Sequence, residues 1–385
     1  MPPLFVGLPS TAEQIDSLES FFDGMDGAPS VPSNGSIGEV LSALSEGIEV
    51  IFTKSEKDIK SFFNEFCALQ QKLRRGDSNE ETIVNRVIAG ITKDTGSDQA
   101  KIRLLQLNNF YNFFPFDSNY RFNFFLNILT YSVETGLTKA VVPVLHQVDE
   151  MLPLWGASAE QKREIYSAIS KVLGISCPGS NSLYQALKKY LETFENSEDD
   201  VSTANQAAID AAVLAIQLED VKRCDDLIEL RAVKQLQGQK IYDLLYLFSQ
   251  KNLDSFEAFN KENAGFLSDN GLCAEQCAKK MRILSLTSLA SEKKILQYSQ
   301  IAEALCVDSA DAEIWVISAI STGLIDARID QANEQVFIRH SSQRSFNESD
   351  WKSLQKTLGV WTKNVQGILS NLKEEEESKQ EVSQQ

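Results

Sequence analysis

Histidine is nearly missing from this chain: only His146 and His340 occur among 385 residues, far apart in sequence. A zinc protease needs clustered imidazole and carboxylate ligands. No such cluster is written here, and no HExxH, Walker A or GxGxxG motif appears. Basic residues are also scarce, with 37 Lys and Arg against 54 Asp and Glu, a net charge of −17 and a pI near 4.7. Binding a row of phosphates requires clustered cations, so nucleic acid is disfavoured as the main partner, and anionic membranes are disfavoured for the same reason. No run of about 18 apolar residues is present to span a bilayer. The opening MPPLFVGLPS has neither the basic start nor the long apolar stretch of a secretion signal. The six cysteines are scattered, mostly in apolar or helical contexts, which fits a reducing compartment, with the cytoplasm as the expected location. Cys273 and Cys277 lie four apart without a second ligand pair, so core packing explains them better than zinc. No cofactor, metal or catalytic residue is expected.

What is present is helix after helix. Residues 1–37 are rich in Pro, Ser and Gly and read as a flexible segment, with a short helix near 12–22. From residue 38 to 290, apolar residues recur at spacings of three and four. Ile59, Phe62, Phe63, Phe66, Leu69 and Leu73 share one face, and Leu183, Ala186, Leu187, Tyr190, Leu191 and Phe194 form the cleanest stripe. Val141, Val144, Leu145, Val148 and Met151 repeat the pattern, with Pro143 in the first turn. His146 falls on this stripe and reads as a packed core residue. Ser158 and Gln161 form a capping-box signature. Helix pairs near 158, 201 and 239 recur about every 40 residues, the length of a helical-hairpin repeat. The fold expected is mainly α: a right-handed α-solenoid of hairpins, each burying a face by stacking on its neighbours, with an irregular helical domain as the alternative. The acidic run at 195–200 reads as a solvated loop.

The pattern changes across 291–346. Ile295 to Tyr298 is a short strand candidate. Ser299 can cap a helix over 300–305, and Asp308 or Ser309 can cap a second one carrying Ile314, Ile317 and Ile320, ending at Gly323. Ile325, Ala327 and Ile329 alternate with Asp326, Arg328 and Asp330 as a half-buried strand, and Val336 to His340 return as another. Strand, helix, helix and two-stranded wing make a winged helix. Its second helix carries Asp308, Asp311 and Glu313, and no Lys or Arg occurs between Lys294 and Arg328. Base reading by that helix is therefore physically implausible. Arg339, His340 and Arg344 form a candidate wing contact, suited either to a phosphate or to acidic groups on a neighbouring subunit.

Ser345 and Glu348 form a further capping-box signature before a final helix over 347–372. Trp351, Leu354, Leu358, Trp361, Val365, Ile368 and Leu372 follow at alternating spacings of three and four, a heptad-like seam. Its length exceeds what a small winged helix covers easily, and two tryptophans are anchor types for a partner surface. A fold-back onto its own chain is the competing reading. The glutamate-rich tail, 373–385, is expected to be disordered.

Helical hairpins, a winged helix and a terminal helix in this order resemble the PCI-domain proteins, subunits of the proteasome lid, the COP9 signalosome and translation initiation factor three. Lys280-Met281-Arg282-Ile283-Leu284 looks like the start of a helix in these domains. His340-Ser341, Arg344, Phe346, Trp351, Leu354, Leu358 and Trp361 are similar to the C-terminal pattern of the m-subunit family of the initiation factor. The likeness is specific over about 270–372, looser over 100–270 and weak before 100. It implies a non-catalytic scaffold in which winged helices pack into an arc and terminal helices join a bundle. The implied partners are other PCI and MPN subunits, with a, c, f and h foremost, and the small ribosomal subunit through the complex. The implied role is support of preinitiation-complex assembly and mRNA recruitment. The alternative is a scaffold of the COP9 signalosome, of the subunit-seven type, or of the proteasome lid.

Overall fold

The computed structural model describes residues 10–25, 28–32, 36–73, 79–96, 98–195, 201–344 and 348–382, without side chains at 348, 349, 353 and 373–382. The chain divides into two compact units, Met1–Asp200 and Val201–Gln385.

The first unit holds α1 (Thr11–Ser20), α2 (Ile37–Glu46), α3 (Ile48–Ile51), α4 (Glu56–Gln70), α5 (Glu80–Thr92), α6 (Ala100–Phe113), α7 (Asn119–Glu134), α8 (Val148–Leu154), α9 (Ala159–Ser176) and α10 (Asn181–Glu192). Three serines start helices by the same device. Ser10, Ser36 and Ser158 each accept from the backbone N–H three residues on, while Glu13, Glu39 and Gln161 reach back to the cap N–H. The stripe of α4 is buried from Ile59 to Leu69, and it gathers aromatic rings from several helices. Phe62 meets Phe22 edge to face at 5.6 Å, Phe63 meets Phe110 at 5.8 Å, and Phe110 stacks on Phe124 at 5.5 Å.

Three expectations meet corrections in this unit. Residues 1–37 are not loose throughout: Leu18 of α1 and Phe22 just beyond it are buried, because α4 offers this short amphipathic helix an apolar surface to lie on. His146 is exposed and not core. Pro143 sits in a six-residue 3-10 segment, Val142–Gln147, and α8 starts only at Val148. A 3-10 segment turns every three residues, so the α-helical stripe dissolves: Val141 and Val148 are buried while Val144 faces outward. The acidic run keeps only Glu195 within the described residues. Helices α9 and α10 pack together as the pair expected near 158.

The second unit holds α11 (Asn205–Gln217), α12 (Asp225–Glu229), α13 (Arg231–Lys234), α14 (Lys240–Gln250), α15 (Leu253–Glu262), α16 (Phe266–Asp269), α17 (Ala274–Glu292), β1 (Ile295–Gln297), α18 (Tyr298–Leu305), α19 (Ala312–Ser321), β2 (Ile325–Asp330), β3 (Gln335–Ser341) and α20 (Glu348–Val382). The pair expected near 201 is interrupted, since α11 packs on α14 with two one-turn helices between them in sequence. The three strands form an antiparallel sheet in the order β1-β3-β2. With α17, α18 and α19 packed on one another and on this sheet, the winged helix is present as expected.

Local starts differ from the sequence expectation. Gln297, and not Ser299, closes a capping box with Gln300 to begin α18. Asp308 leads into a 3-10 turn, Ser309–Asp311, before α19. Gly323 ends α19 at φ +71°, a conformation that costs a glycine nothing. The last helix runs past Leu372 through the glutamate run to Val382, where disorder was expected, and Glu and Lys are good helix formers that extend a helix already nucleated. The Ser345 cap, Phe346 and residues 383–385 lie outside the described residues.

Candidate interaction surface

Two outward-facing apolar surfaces stand out in the second unit. The first is α20. Trp351, Leu354, Leu358, Trp361, Val365, Ile368 and Leu372 fall on one side of the helix by spacing, about 32 Å from end to end. All seven are between 40% and 62% exposed. A heptad-like seam normally sits in the groove of another helix.

The second surface is α19, the helix that precedes the wing. Its buried positions are Ala312, Val316 and Ala319. The larger residues point away: Ile314 is 60% exposed and Ile317 is 51% exposed. Trp315 is half-buried with the Arg282 guanidinium 5.3 Å from its ring. These residues of modest size let α19 pack closely on α17, α18 and β2, and Ile314 and Ile317 are left on the outside.

The wing cluster divides. Arg339 and His340 are exposed on β3, as a contact role requires. Arg344 is not a wing residue at all. It is 7% exposed and reaches back to the end of α14. Its Nε donates to the Phe248 carbonyl at 2.9 Å, its Nη2 to Leu247 at 2.7 Å and to Phe248 at 2.6 Å, and its Nη1 to Lys251 at 2.6 Å. The last carbonyls of a helix have no intrahelical donor, and the helix dipole makes that end negative. A planar fork with five N–H groups suits such a ring of carbonyls. Burial pulls the guanidinium down to about 10, which leaves it charged at neutral pH.

Other cations act alike. Lys280 Nζ donates to Ala215 and Leu218, each at 2.6 Å, closing the end of α11, and burial lowers its pKa. Lys222 donates to the Thr322 carbonyl at the end of α19. In the first unit Arg103 donates to Ile91 at 2.9 Å in α5 and lies 4.0 Å over the Phe52 ring. Arg121 Nε donates to Phe114 at 2.9 Å, just past α6. Local sequence gives no sign of the pairings of Lys222, Lys280 and Arg344, because each joins residues sixty or more apart that only packing brings together. Together these bonds commit five cations of an acidic chain to backbone carbonyls, and four of them, Arg103, Arg121, Lys280 and Arg344, are buried.

Among the described residues no group of three or more His, Cys, Asp or Glu is placed to hold a metal ion. Cys273 is exposed and Cys277 buried, so only the second is a core residue. Among the described residues no helix is long and apolar enough to cross a membrane.

Comparison with known proteins fits this geometry. The PCI domain family matches residues 246–340, from within α14 to β3. Eukaryotic translation initiation factor 3 subunit M of Dictyostelium discoideum is 32% identical over 321 residues, which cover 82% of this chain and 79% of that protein. The chain belongs to the subunit M family of eukaryotic translation initiation factor 3. The human subunit M is 25% identical over 332 residues, covering 86% of this chain and 87% of its own. The Xenopus tropicalis subunit M is 26% identical over 335 residues with the same coverage. These subunit M matches cover far more of the chain than the PCI segment, so the likeness is not confined to the winged helix.

Proposed function

We propose that the chain is a non-catalytic scaffold subunit of the cytoplasmic initiation factor 3 complex. It supports assembly of the preinitiation complex on the small ribosomal subunit and recruitment of mRNA. The observation that carries this reading is the outward seam of α20, from Leu354 to Leu372, on a helix that continues to Val382. Covering such a seam is worth on the order of 5–10 kcal/mol before association costs, enough to hold a subunit in a larger bundle. Trp351, Leu354, Leu358, Trp361, Val365, Ile368 and Leu372 are the proposed contact residues, and other PCI and MPN subunits, with a, c, f and h foremost, are the proposed partners. Arg339 and His340 remain as a proposed secondary contact on the wing.

The test is affinity purification of the tagged full chain, wild type beside a Leu358→Ala, Trp361→Ala, Val365→Ala variant, with mass spectrometry of what each retains. The wild type is expected to retain other initiation factor 3 subunits with small-subunit ribosomal proteins. The variant is expected to lose them by a factor of ten or more, about 1.4 kcal/mol at the least, with an unchanged melting temperature. Retention of signalosome or proteasome-lid subunits would move the scaffold to protein turnover. A variant that binds normally, or that melts several degrees lower, would show that the seam is not a partner surface.

A further inference from the structure

We propose that the outer face of α19 is a second docking site, distinct from the α20 seam, for an amphipathic helix of basic character. Two observations carry it. The first is the apolar ridge of Ile314 and Ile317, three residues apart and so on one side of the helix, each more than half exposed. Ser318 and Ser321 share this side, and their hydroxyls donate to helix carbonyls instead of standing out into solvent. The second is the charge around the ridge. Asp308 and Asp311 at the start of α19 are exposed, and neither caps the helix through its side chain. Glu303 on α18 is exposed. Glu313 accepts only from the neutral Gln331 side chain at 3.2 Å. The sequence supplies no cation between Lys294 and Arg328. Two cations reach this region from elsewhere, and both are engaged: Arg282 lies over Trp315 and donates to the Leu305 carbonyl, and Lys222 donates to the Thr322 carbonyl at the far end of α19.

Apolar surface flanked by uncompensated carboxylates is complementary to a helix with two or three aliphatic residues on one face and Lys or Arg beside them. It repels nucleic acid and acidic peptides alike. In a base-reading winged helix this position is occupied by cations and amides facing phosphates and base edges. Here the same solid angle presents isoleucine and aspartate, so the platform is retained and its ligand is changed from a polyanion to a cationic, apolar helix.

The probe is a fourteen-residue peptide of leucine and lysine in amphipathic helical order, carrying a photoactivatable leucine, with a leucine and glutamate counterpart. Each is irradiated with the full chain, and labelled residues are read by mass spectrometry. The expected result is label within residues 308–321 from the lysine peptide and not from the glutamate peptide. Ile314→Ser with Ile317→Ser is expected to cut that label at least tenfold, and Asp308→Asn with Asp311→Asn to cut it severalfold, with both variants melting as the wild type does. Label confined to residues 348–382, equal label from both peptides, or label unaffected by the isoleucine substitutions would overturn the proposal. So would an isoleucine-dependent dimer of the chain in sedimentation, which would assign the face to a second copy. The proposal does not rest on the scaffold reading: the α20 variant is expected to keep the α19 label.

Discussion

Arg344 makes four hydrogen bonds of 2.9 Å or less to backbone carbonyls at the end of α14, and its Nη2 lies 3.5 Å from the Met281 sulfur. Removing it leaves those carbonyls without donors in a buried place. Arg344→Ala is expected to cost about 2–4 kcal/mol in urea unfolding of the full chain. Arg344→Lys is expected to recover only part of this, since an ammonium has three donors at one point where the guanidinium makes four bonds from three separate nitrogens. Equal stability of wild type and Arg344→Ala would show the clamp to be weak. In the sequence Arg344 stood beside Arg339 and His340 and read as part of a basic cluster. Its partners lie more than ninety residues earlier, a distance no local pattern spans. His146 misled for a different reason, because an apolar spacing of three and four was interrupted by Pro143 and relaxed into a 3-10 segment.

At the level of elements, apolar periodicity was a reliable guide where one face is buried deeply, as in α4, α9 and α10. It was least informative for α19, where the spacing of Ile314 and Ile317 marks an apolar face but does not say that smaller residues, Ala312, Val316 and Ala319, take the buried side. The strands of the winged helix were legible from alternation, while the bulge between Asp326 and Ala327 was not. Helix joints carry their own prediction. Asp149 of α8 accepts from Tyr166 of α9 at 2.7 Å and from Lys189 of α10, tying three helices together. Burial alone would raise this carboxyl, but the hydrogen bonds from Lys189 and Tyr166 outweigh it and hold its pKa below the usual value. A carboxyl depressed in the folded state adds stability above its unfolded pKa, about 3.9, and loses it as pH falls through the folded value. Asp149→Asn is therefore expected to be less stable than wild type at pH 7 and pH 5, with the gap closing below about pH 4. Urea midpoints at a series of pH values measure this, and a gap that persists at the lowest pH would break the assignment.

Over the whole molecule, charge and architecture point the same way. The net charge of −17 opposes polyanions, and Arg103, Arg121, Lys222, Lys280 and Arg344 are committed to backbone carbonyls. The isolated full chain is expected to show no measurable affinity for a single-stranded RNA oligonucleotide at physiological salt. Micromolar binding that weakens steeply as salt rises would contradict this. The overall class, many helices and then a winged helix and a terminal helix, was legible because each element announces itself in a short window. What the sequence left open was which faces stay uncovered, since that depends on every neighbour at once.

The cation-capped helix ends have one more consequence. A carbonyl does not titrate, and a cation buried against it has little contact with dissolved ions. Moderate salt, which weakens half-exposed carboxylate pairs such as the one at Asp149, leaves the ties made by Lys280 and Arg344 in place. Screening surface charge should therefore leave the folded core of the second unit unaltered, so that a salt titration reads the contacts this subunit makes outside itself and not its own unfolding.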